Sequence, residues 1–240
     1  MLTSGNTILI TGGGSGIGLS LLRELYSEGN SIIVAGRKVE SLQAIKKEFP
    51  KVSTLQCDLL NPTDVDTLLD MCKKAFKSIN VFVGNAGIQQ MYARHNNHHN
   101  QSSCDTKENI QDISPLRLIY GLIPLIRQNS NSAIVLVSHG QKISDENSPI
   151  DYRQTEKSIQ NFCRWLRTEL TDHGVEVWQV VPPLTDAQLH RGDFESAVSK
   201  EAIAKRFILD AKRGRFDSNI GRSFTFKIIR INIYISIKCF

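Results

Sequence analysis

A glycine-rich turn near the start of the chain constrains the fold more than any other feature. Residues 11–18 read TGGGSGIG and follow a short run of branched apolar residues at 7–10, while leucines recur behind them at helical spacing as far as Gly29. Such a turn between a buried strand and a helix exposes backbone N–H groups and the positive end of the helix dipole, which together bind a phosphate. We therefore predict a dinucleotide pyrophosphate site formed by Gly12, Gly14, Ser15, Gly16, Ile17 and Gly18.

The rest of the chain alternates between apolar segments with strand character and segments with helical periodicity. Strands are predicted at residues 7–10, 31–35, 52–55, 81–83, 133–137 and 175–181, and helices lie between them and at 196–212. This alternation predicts βαβ units with right-handed crossovers. We expect a single α/β domain with a Rossmann-type, doubly wound parallel sheet and helices on both faces, whose ligands bind at the carboxyl ends of the strands.

Composition and charge narrow the function classes. The 240 residues are 40% hydrophobic, which suits one large core. No apolar run approaches the length of about 20 residues that a membrane helix needs. The net charge of +5 is spread along the chain, so it suits an anionic cofactor and argues against nucleic acid. The cysteines are scattered and the start shows no signal peptide, so we expect reduced thiols and a cytoplasmic protein.

Three histidines in a polar segment invite a metal interpretation. His95, His98 and His99 lie among asparagines and a glutamine, with no apolar periodicity around them. Metal ligands need fixed geometry and supporting hydrogen bonds, which a solvated loop does not supply. We therefore expect a solvated loop and no metal site.

Further polar residues fall where predicted strands end. Asp58 follows the third strand, and Tyr152 stands at a suitable distance after the fifth. The fourth strand is followed by Asn85, Ala86 and Gly87. With the glycine turn, these motifs resemble the short-chain dehydrogenase/reductase family over nearly the whole chain. The resemblance implies a domain at residues 1–225 that binds NAD(H) or NADP(H), hydride transfer to or from a small carbonyl or alcohol, and a homodimer or homotetramer.

The end of the second strand indicates which cofactor is preferred. An acidic side chain there would hold the ribose hydroxyls of NAD and repel a 2′-phosphate, whereas this chain has Arg37 and Lys38. An arginine binds phosphate through two parallel hydrogen bonds, so NADP(H) is favoured over NAD(H); the alternative is a pair of solvated surface charges. For Asp58, the alternative is a cap at the strand end. By resemblance, the remaining cofactor contacts are Asp58 with Leu59, then Asn85, Ala86 and Gly87, and finally Tyr152 and Pro182 beside the nicotinamide.

The sequence departs from the family at the catalytic residues. Active members use a tyrosine as proton donor, a lysine four residues later, a serine that orients the substrate and an asparagine that holds a water. Tyr152 is present, but Glu156 occupies the lysine position and Lys157 comes one residue later. On a helical wheel Glu156 lies about 40° from Tyr152 and Lys157 about 140° away. A carboxylate at that position raises the tyrosine pKa, opposite to the effect of the lysine.

The other two catalytic positions are also altered. His139 stands where the family has its catalytic serine, and the adjacent Ser138 points to the opposite side of an extended strand. Aligned on Pro115, Gln111 replaces the asparagine. The catalytic candidates are thus Tyr152, His139, Gln111 and Glu156. We expect an NADP(H)-dependent oxidoreductase of reduced or lost activity; the alternatives are a cofactor-binding pseudoenzyme or interaction scaffold, and a non-redox acid–base enzyme that uses His139 and Tyr152.

The C-terminal segment differs from the rest of the chain. Isoleucines occupy every second position from Ile229 to Ile237 and alternate with polar residues. Strict alternation predicts a half-buried strand. We therefore separate residues 226–240 as an atypical isoleucine-rich tail that is suited to an edge strand.

Overall fold

The computed structural model describes residues 3–85, 114–138, 150–182, 198–213, 217–219 and 225–229. At residues 114–115, 150–158, 217–219 and 225–229 the description covers the backbone only. Within these residues the strands are β1 (Thr7–Thr11), β2 (Ser31–Gly36), β3 (Ser53–Gln56), β4 (Val81–Gly84), β5 (Ala133–Val137), β6 (Glu176–Val181), β7 (Asp217–Asn219) and β8 (Thr225–Ile229). The helices are α1 (Gly16–Ser27), α2 (Val39–Glu48), α3 (Pro62–Ala75), α4 (Ser114–Ile126), α5 (Ile150–Leu170) and α6 (Lys200–Arg213).

The strands form one sheet in the order β3-β2-β1-β4-β5-β6-β8-β7. The strands from β3 to β6 in this order run parallel to one another, which confirms the predicted doubly wound α/β fold. The order reverses between β1 and β4, where Thr11 pairs with Gly84. Ligands of such sheets bind in the crevice outside the carboxyl ends of the strands at this reversal.

Helices cover both faces of the sheet because alternate residues of each buried strand point to opposite sides. On one face, Ile8 and Ile10 of β1 belong to a core with α1, α2 and α6. On the other face, Leu9 belongs to a core with α3, α4 and α5. The central strands β1, β4 and β5, which end at the carboxyl edge, thus contribute buried residues to a core on each face.

The far edge of the sheet is antiparallel. β8 runs antiparallel to β6, with Ile228 opposite Val180, and β7 runs antiparallel to β8. Residues 226–229 of the isoleucine-rich tail thus lie in a strand beside β6, while residues 230–240 lie outside the described residues. The domain boundary at residue 225 stays a prediction.

Three asparagines, each directly before a strand, join the amino ends of β1, β2 and β4. Asn80 Nδ2 donates to Asn6 Oδ1 at 2.9 Å, and Asn6 Nδ2 donates to Asn30 Oδ1 at 2.9 Å. Asn30 Nδ2 donates in turn to the carbonyls of Thr3 and Leu25, each at 2.7 Å. All three asparagines are buried, and this asparagine network provides hydrogen-bond partners for their side chains within the protein.

Among the described residues, no helix is long and apolar enough to cross a membrane. The same residues contain no group of three or more histidine, cysteine or acidic side chains placed to hold a metal ion. His95, His98 and His99 lie outside the described residues.

Candidate cofactor site

The glycine turn lies between β1 and α1 at the carboxyl edge. Gly12 and Gly16 have φ of +68° and +58°, where any side chain would be strained. Gly12 N donates to Ala35 O at 3.1 Å, so the turn leaves the sheet beside the end of β2. Ser15 is exposed and extended before α1, and it makes no side-chain capping hydrogen bond. Since a helix leaves its first N–H groups without intrahelical partners, this turn presents donors to an anion.

The start of α1 approaches the turn so closely that residue 18 must be glycine. A Cβ at Gly18 would lie 2.2 Å from Gly12 O and 2.5 Å from Asn85 Nδ2. Asn85, directly after β4, donates from Nδ2 to Gly12 O at 3.1 Å, and its N–H donates to Thr11 Oγ1 at 3.3 Å. The structure thus brings together Gly12, Gly18 and Asn85, whereas Ala86 and Gly87 lie outside the described residues.

One neighbour of the turn was missed by sequence reasoning. A Cβ at Gly14 would lie 3.1 Å from Ser41 Cβ, in the first turn of α2. Ser41 is a small polar residue, but nothing in the local sequence connects it with the preceding glycine turn.

Two basic residues follow β2 next to this turn. Arg37 and Lys38 are exposed, and Lys38 is the extended residue before α2. Among the described residues neither takes part in an ion pair. Their charges therefore stand free beside the turn, an arrangement that suits a phosphate and also fits solvated surface charges.

Asp58 follows β3 at the same edge. Its Oδ1 accepts a hydrogen bond from Leu60 N at 3.0 Å, and its own N–H donates to Asp64 Oδ2 at 2.9 Å. The strand-end cap therefore exists, and it leaves a second carboxylate oxygen to offer a ligand. Ile17 and Leu59 are half-buried and pack against the core on opposite faces of the sheet, so they support the site rather than present polar groups to it.

The helical register of α5 distinguishes Glu156 from Lys157, which come four and five residues after Tyr152. Its buried positions are Ile159, Cys163, Leu166 and Leu170. Its exposed positions include Asn161, Arg164 and Thr168. Steps of three and four residues place Glu156 and Tyr152 on the helix face of Ile159, and Lys157 on the face of Asn161. The register therefore favours Glu156, not Lys157, as the residue that shares a helix face with Tyr152.

Ser138 directly follows β5 and is fully buried. Its Oγ donates to Val180 O at 3.3 Å, and its N–H donates to the same carbonyl at 2.9 Å. This hydroxyl is thus engaged with β6. Pro182 is buried directly after β6, at the same edge. His139 and Gln111 lie outside the described residues.

Two of the described cysteines, Cys57 and Cys72, do not supply a nucleophile. Burial raises the pKa of Cys57, next to Asp58, to about 12, with added repulsion from Asp64 and Asp58. Burial likewise raises the pKa of Cys72 to about 11. Because the thiolate is the reactive form, both side chains stay inert near neutral pH.

Comparisons with known proteins agree with this architecture. The short chain dehydrogenase family profile matches residues 6–197. The chain is 29% identical over 233 residues to the uncharacterized oxidoreductase DltE of Bacillus subtilis, covering 90% of this chain and 88% of that protein.

Two solved structures illustrate the fold. A 3-ketoacyl-(acyl-carrier-protein) reductase from Brucella melitensis, complexed with NADH, superposes with a TM-score of 0.69 at 18% identity, covering 87% of this chain and 91% of that one. An NADPH-bound short chain oxidoreductase from Pseudomonas aeruginosa, which contains an atypical catalytic center, superposes with a TM-score of 0.58 at 20% identity, covering 75% and 72%. With the profile match over most of its length, the chain belongs to the short-chain dehydrogenase/reductase family.

Proposed function

We propose that the carboxyl edge binds NADP(H) in preference to NAD(H). The observation that carries this proposal is the close assembly of Gly12, Gly18 and Asn85 beside an uncapped helix start. Arg37 lies exposed beside the turn and forms no ion pair with any other described residue. In this proposal, N–H groups of the glycine turn bind the pyrophosphate, and Arg37 and Lys38 bind the 2′-phosphate. When bound, the reduced nicotinamide supplies a hydride.

The other cofactor contacts are carried over from the family pattern. Asp58 and Leu59 would lie at the adenine end, Asn85, Ala86 and Gly87 at the ribose, and Tyr152 and Pro182 at the nicotinamide. The two solved structures described above carry NADH in one case and NADPH in the other. Similarity of fold therefore supports a nicotinamide cofactor, while the basic pair after β2 supports the phosphate preference.

Titration of the purified protein with NADPH and with NADH tests this proposal. We expect micromolar binding of NADPH, followed by nicotinamide fluorescence or calorimetry, and NADH binding at least about tenfold weaker. Equal affinity for both would overturn the phosphate preference. No binding of either would overturn the cofactor site itself.

We further propose that hydride transfer to small carbonyls, or from small alcohols, is weak or lost. The register of α5 favours a carboxylate, Glu156, as the neighbour of Tyr152, and a carboxylate raises the pKa of a phenol. Ser138 is engaged with β6 and does not replace the missing catalytic serine. The alternative is a cofactor-binding pseudoenzyme or regulatory scaffold. The Pseudomonas oxidoreductase combines bound NADPH with an atypical catalytic center, so the two properties coexist in this fold.

Restoring the family residues tests the catalytic proposal. Glu156→Lys together with His139→Ser should raise NADPH oxidation with a panel of ketones and aldehydes above that of the wild type, with Lys157→Gln as a matched control of no effect. NADPH affinity and thermal stability are measured for every variant, so that a gain in turnover is not confused with tighter binding. Wild-type turnover as high as that of the double variant would contradict the proposal.

The proposed assembly is a homodimer or homotetramer. An aromatic patch on α4 and α5 supports it: the Phe162 and Trp165 rings stack at 5.9 Å, Tyr120 contacts both edge-on, and Trp165 is 42% exposed. Size-exclusion chromatography of the wild type should give the apparent mass of a dimer or tetramer, and the Trp165→Glu variant should elute as a monomer. We also propose a cytoplasmic location, since Cys57 and Cys72 are free thiols.

A further inference from the structure

Helices α1 and α6 pack side by side and share a polar contact at each end. Near the glycine turn, Ser20 Oγ donates to Glu201 Oε1 at 3.3 Å. At the opposite end, Lys212 Nζ donates to Glu28 Oε1 at 2.7 Å. Between these contacts the helices bury apolar residues of both, namely Leu21, Leu25, Ala204 and Ile208. One end of the pair is thus next to the proposed cofactor site and the other end is distant from it.

The Ser20 hydroxyl has two acceptors and one proton. Its Oγ lies 3.3 Å from Gly16 O, one turn back in α1, and 3.3 Å from the Glu201 carboxylate. A serine that bonds back to the carbonyl of the preceding turn tends to bend its helix. A carboxylate is the stronger acceptor and draws the proton away from that carbonyl. Hydrogen bonds from the Glu201 backbone N–H and from Ser20 also lower the pKa of Glu201, so the carboxylate is ionised at neutral pH.

The carbonyl affected by this competition belongs to the glycine turn. Gly16 is the first residue of α1 and has φ of +58°. The orientation of the Gly16 carbonyl sets the direction of the N–H groups in the first turn of α1. The proposed function assigns these N–H groups to the pyrophosphate. Ser20 itself is buried, whereas Glu201 is exposed.

We propose that Glu201 is a positioning residue for the dinucleotide site: it competes with Gly16 O for the single proton of the Ser20 hydroxyl and so keeps the first turn of α1 in the orientation that binds pyrophosphate. This inference rests on the proposed NADP(H) site. It assigns to α6, which contributes no cofactor-binding residue in the family pattern, a role in cofactor affinity.

Four variants test the inference through NADPH affinity and thermal stability. Glu201→Ala should raise the Kd for NADPH about threefold to tenfold, the loss expected for one hydrogen bond. Glu201→Gln keeps an acceptor at the same place and should restore the Kd to near the wild-type value. Lys212→Ala removes the other α1–α6 contact and should lower thermal stability without changing the Kd. Ser20→Ala in the Glu201→Ala background removes the competing hydroxyl and should recover most of the lost affinity.

These results show whether Glu201 positions the cofactor-binding turn or only stabilises the packing of α1 against α6. A Kd that stays unchanged or falls in Glu201→Ala would overturn the inference, as would a failure of Ser20→Ala to restore affinity in the double variant. A Kd that rises equally in Lys212→Ala would assign the effect to helix packing and overturn it as well. A wild-type protein that binds neither NADPH nor NADH would overturn the proposed function, whereas the variant results bear on Glu201 alone.

Discussion

Asn80 and Asn85 stand at the two ends of the four-residue strand β4, and they hold opposite edges of the sheet in different ways. Asn80 accepts a hydrogen bond from Thr7 N at 3.0 Å and donates to Asn6 Oδ1 and Ser130 O at 2.9 and 3.1 Å, all within the protein. Asn85 donates to one carbonyl of the glycine turn, at 3.1 Å, and is only partly buried.

The amino edge of the sheet therefore contributes to stability, whereas the carboxyl edge is suited to binding a ligand. At the amino edge, the asparagine network pairs buried polar groups with one another, and such closed networks stabilise a fold. At the carboxyl edge, Ser15 leaves the start of α1 uncapped and Arg37 stands without an ion pair among the described residues. Polar groups left open at an edge are available to a ligand. Substitutions at the two edges should accordingly separate stability from cofactor affinity.

Gly18→Ala should show the largest effect on cofactor binding. The new Cβ would lie 2.2 Å from Gly12 O, so the backbone of the turn must move. We expect NADPH binding to weaken by about 100-fold or more, and the free energy of unfolding to fall by about 1–3 kcal/mol. Fluorescence titration and urea unfolding measure the two quantities.

Gly29→Ala is the matched control at the amino edge. Gly29 has φ of +84°, and a Cβ there would meet nothing within 4 Å. Backbone strain alone should cost about 1 kcal/mol of stability and leave NADPH affinity unchanged. An equal loss of affinity in both variants would show that the turn does not contact the cofactor directly.

Asn80→Ala and Asn85→Ala should then have crossed effects. Loss of Asn80 removes the acceptor of Thr7 N and one donor to Asn6 Oδ1, so we expect about 2–3 kcal/mol less stability and an unchanged Kd for NADPH. Loss of Asn85 frees Gly12 O, so we expect only about 1 kcal/mol less stability but a Kd about tenfold higher. The pair would contradict the division of the sheet if both variants changed affinity to the same extent while folded.

Most of the fold was predictable because its signals are local. Branched apolar runs and helical periodicity placed the parallel strands and the helices within a few residues of their observed bounds. The direction of β8 was not predictable, because pairing with β6 depends on a partner far away in sequence. The asparagine network was missed for the same reason: Asn6, Asn30 and Asn80 each look like ordinary residues before a strand until the sheet brings them together.

In the site, too, the residues that could be predicted are those with local sequence signals. The glycine turn and Arg37 were found because strand, turn and helix follow one another in the chain. Ser41 and Glu201 were missed because Ser41 reaches the turn from α2 and Glu201 reaches Ser20 of α1 from α6, through contacts that only tertiary packing creates. The replacement of the catalytic lysine by Glu156 was visible because helical spacing is fixed, and the register of α5 supports that interpretation.

Arg37→Ala should give a smaller and more selective effect than the glycine substitution. Loss of a charged hydrogen-bond donor to phosphate costs about 1.5–3 kcal/mol, so the Kd for NADPH should rise about 10- to 100-fold. The Kd for NADH and the melting temperature should stay the same, since Arg37 is exposed. Lys47→Ala, exposed on the last turn of α2, controls for a general loss of positive charge. A parallel weakening of NADH would show that Arg37 does not read the 2′-phosphate.

The smallest effect concerns Cys57, which lies at the carboxyl edge yet behaves like a core residue. Its pKa of about 12 in the folded protein exceeds the ordinary value of 9.0, so the unfolded chain loses this proton at lower pH than the folded one. The contribution of the protonated Cys57 thiol to the free energy of unfolding is therefore fully present below about pH 9 and is lost as the pH rises toward 12. Between pH 8 and pH 10, Cys57→Ala should lose about 1 kcal/mol less stability than the wild type in urea unfolding. Saturating NADPH should leave this difference unchanged, because the thiol packs beneath the edge and does not belong to the binding surface; a difference abolished by NADPH would place Cys57 within the site.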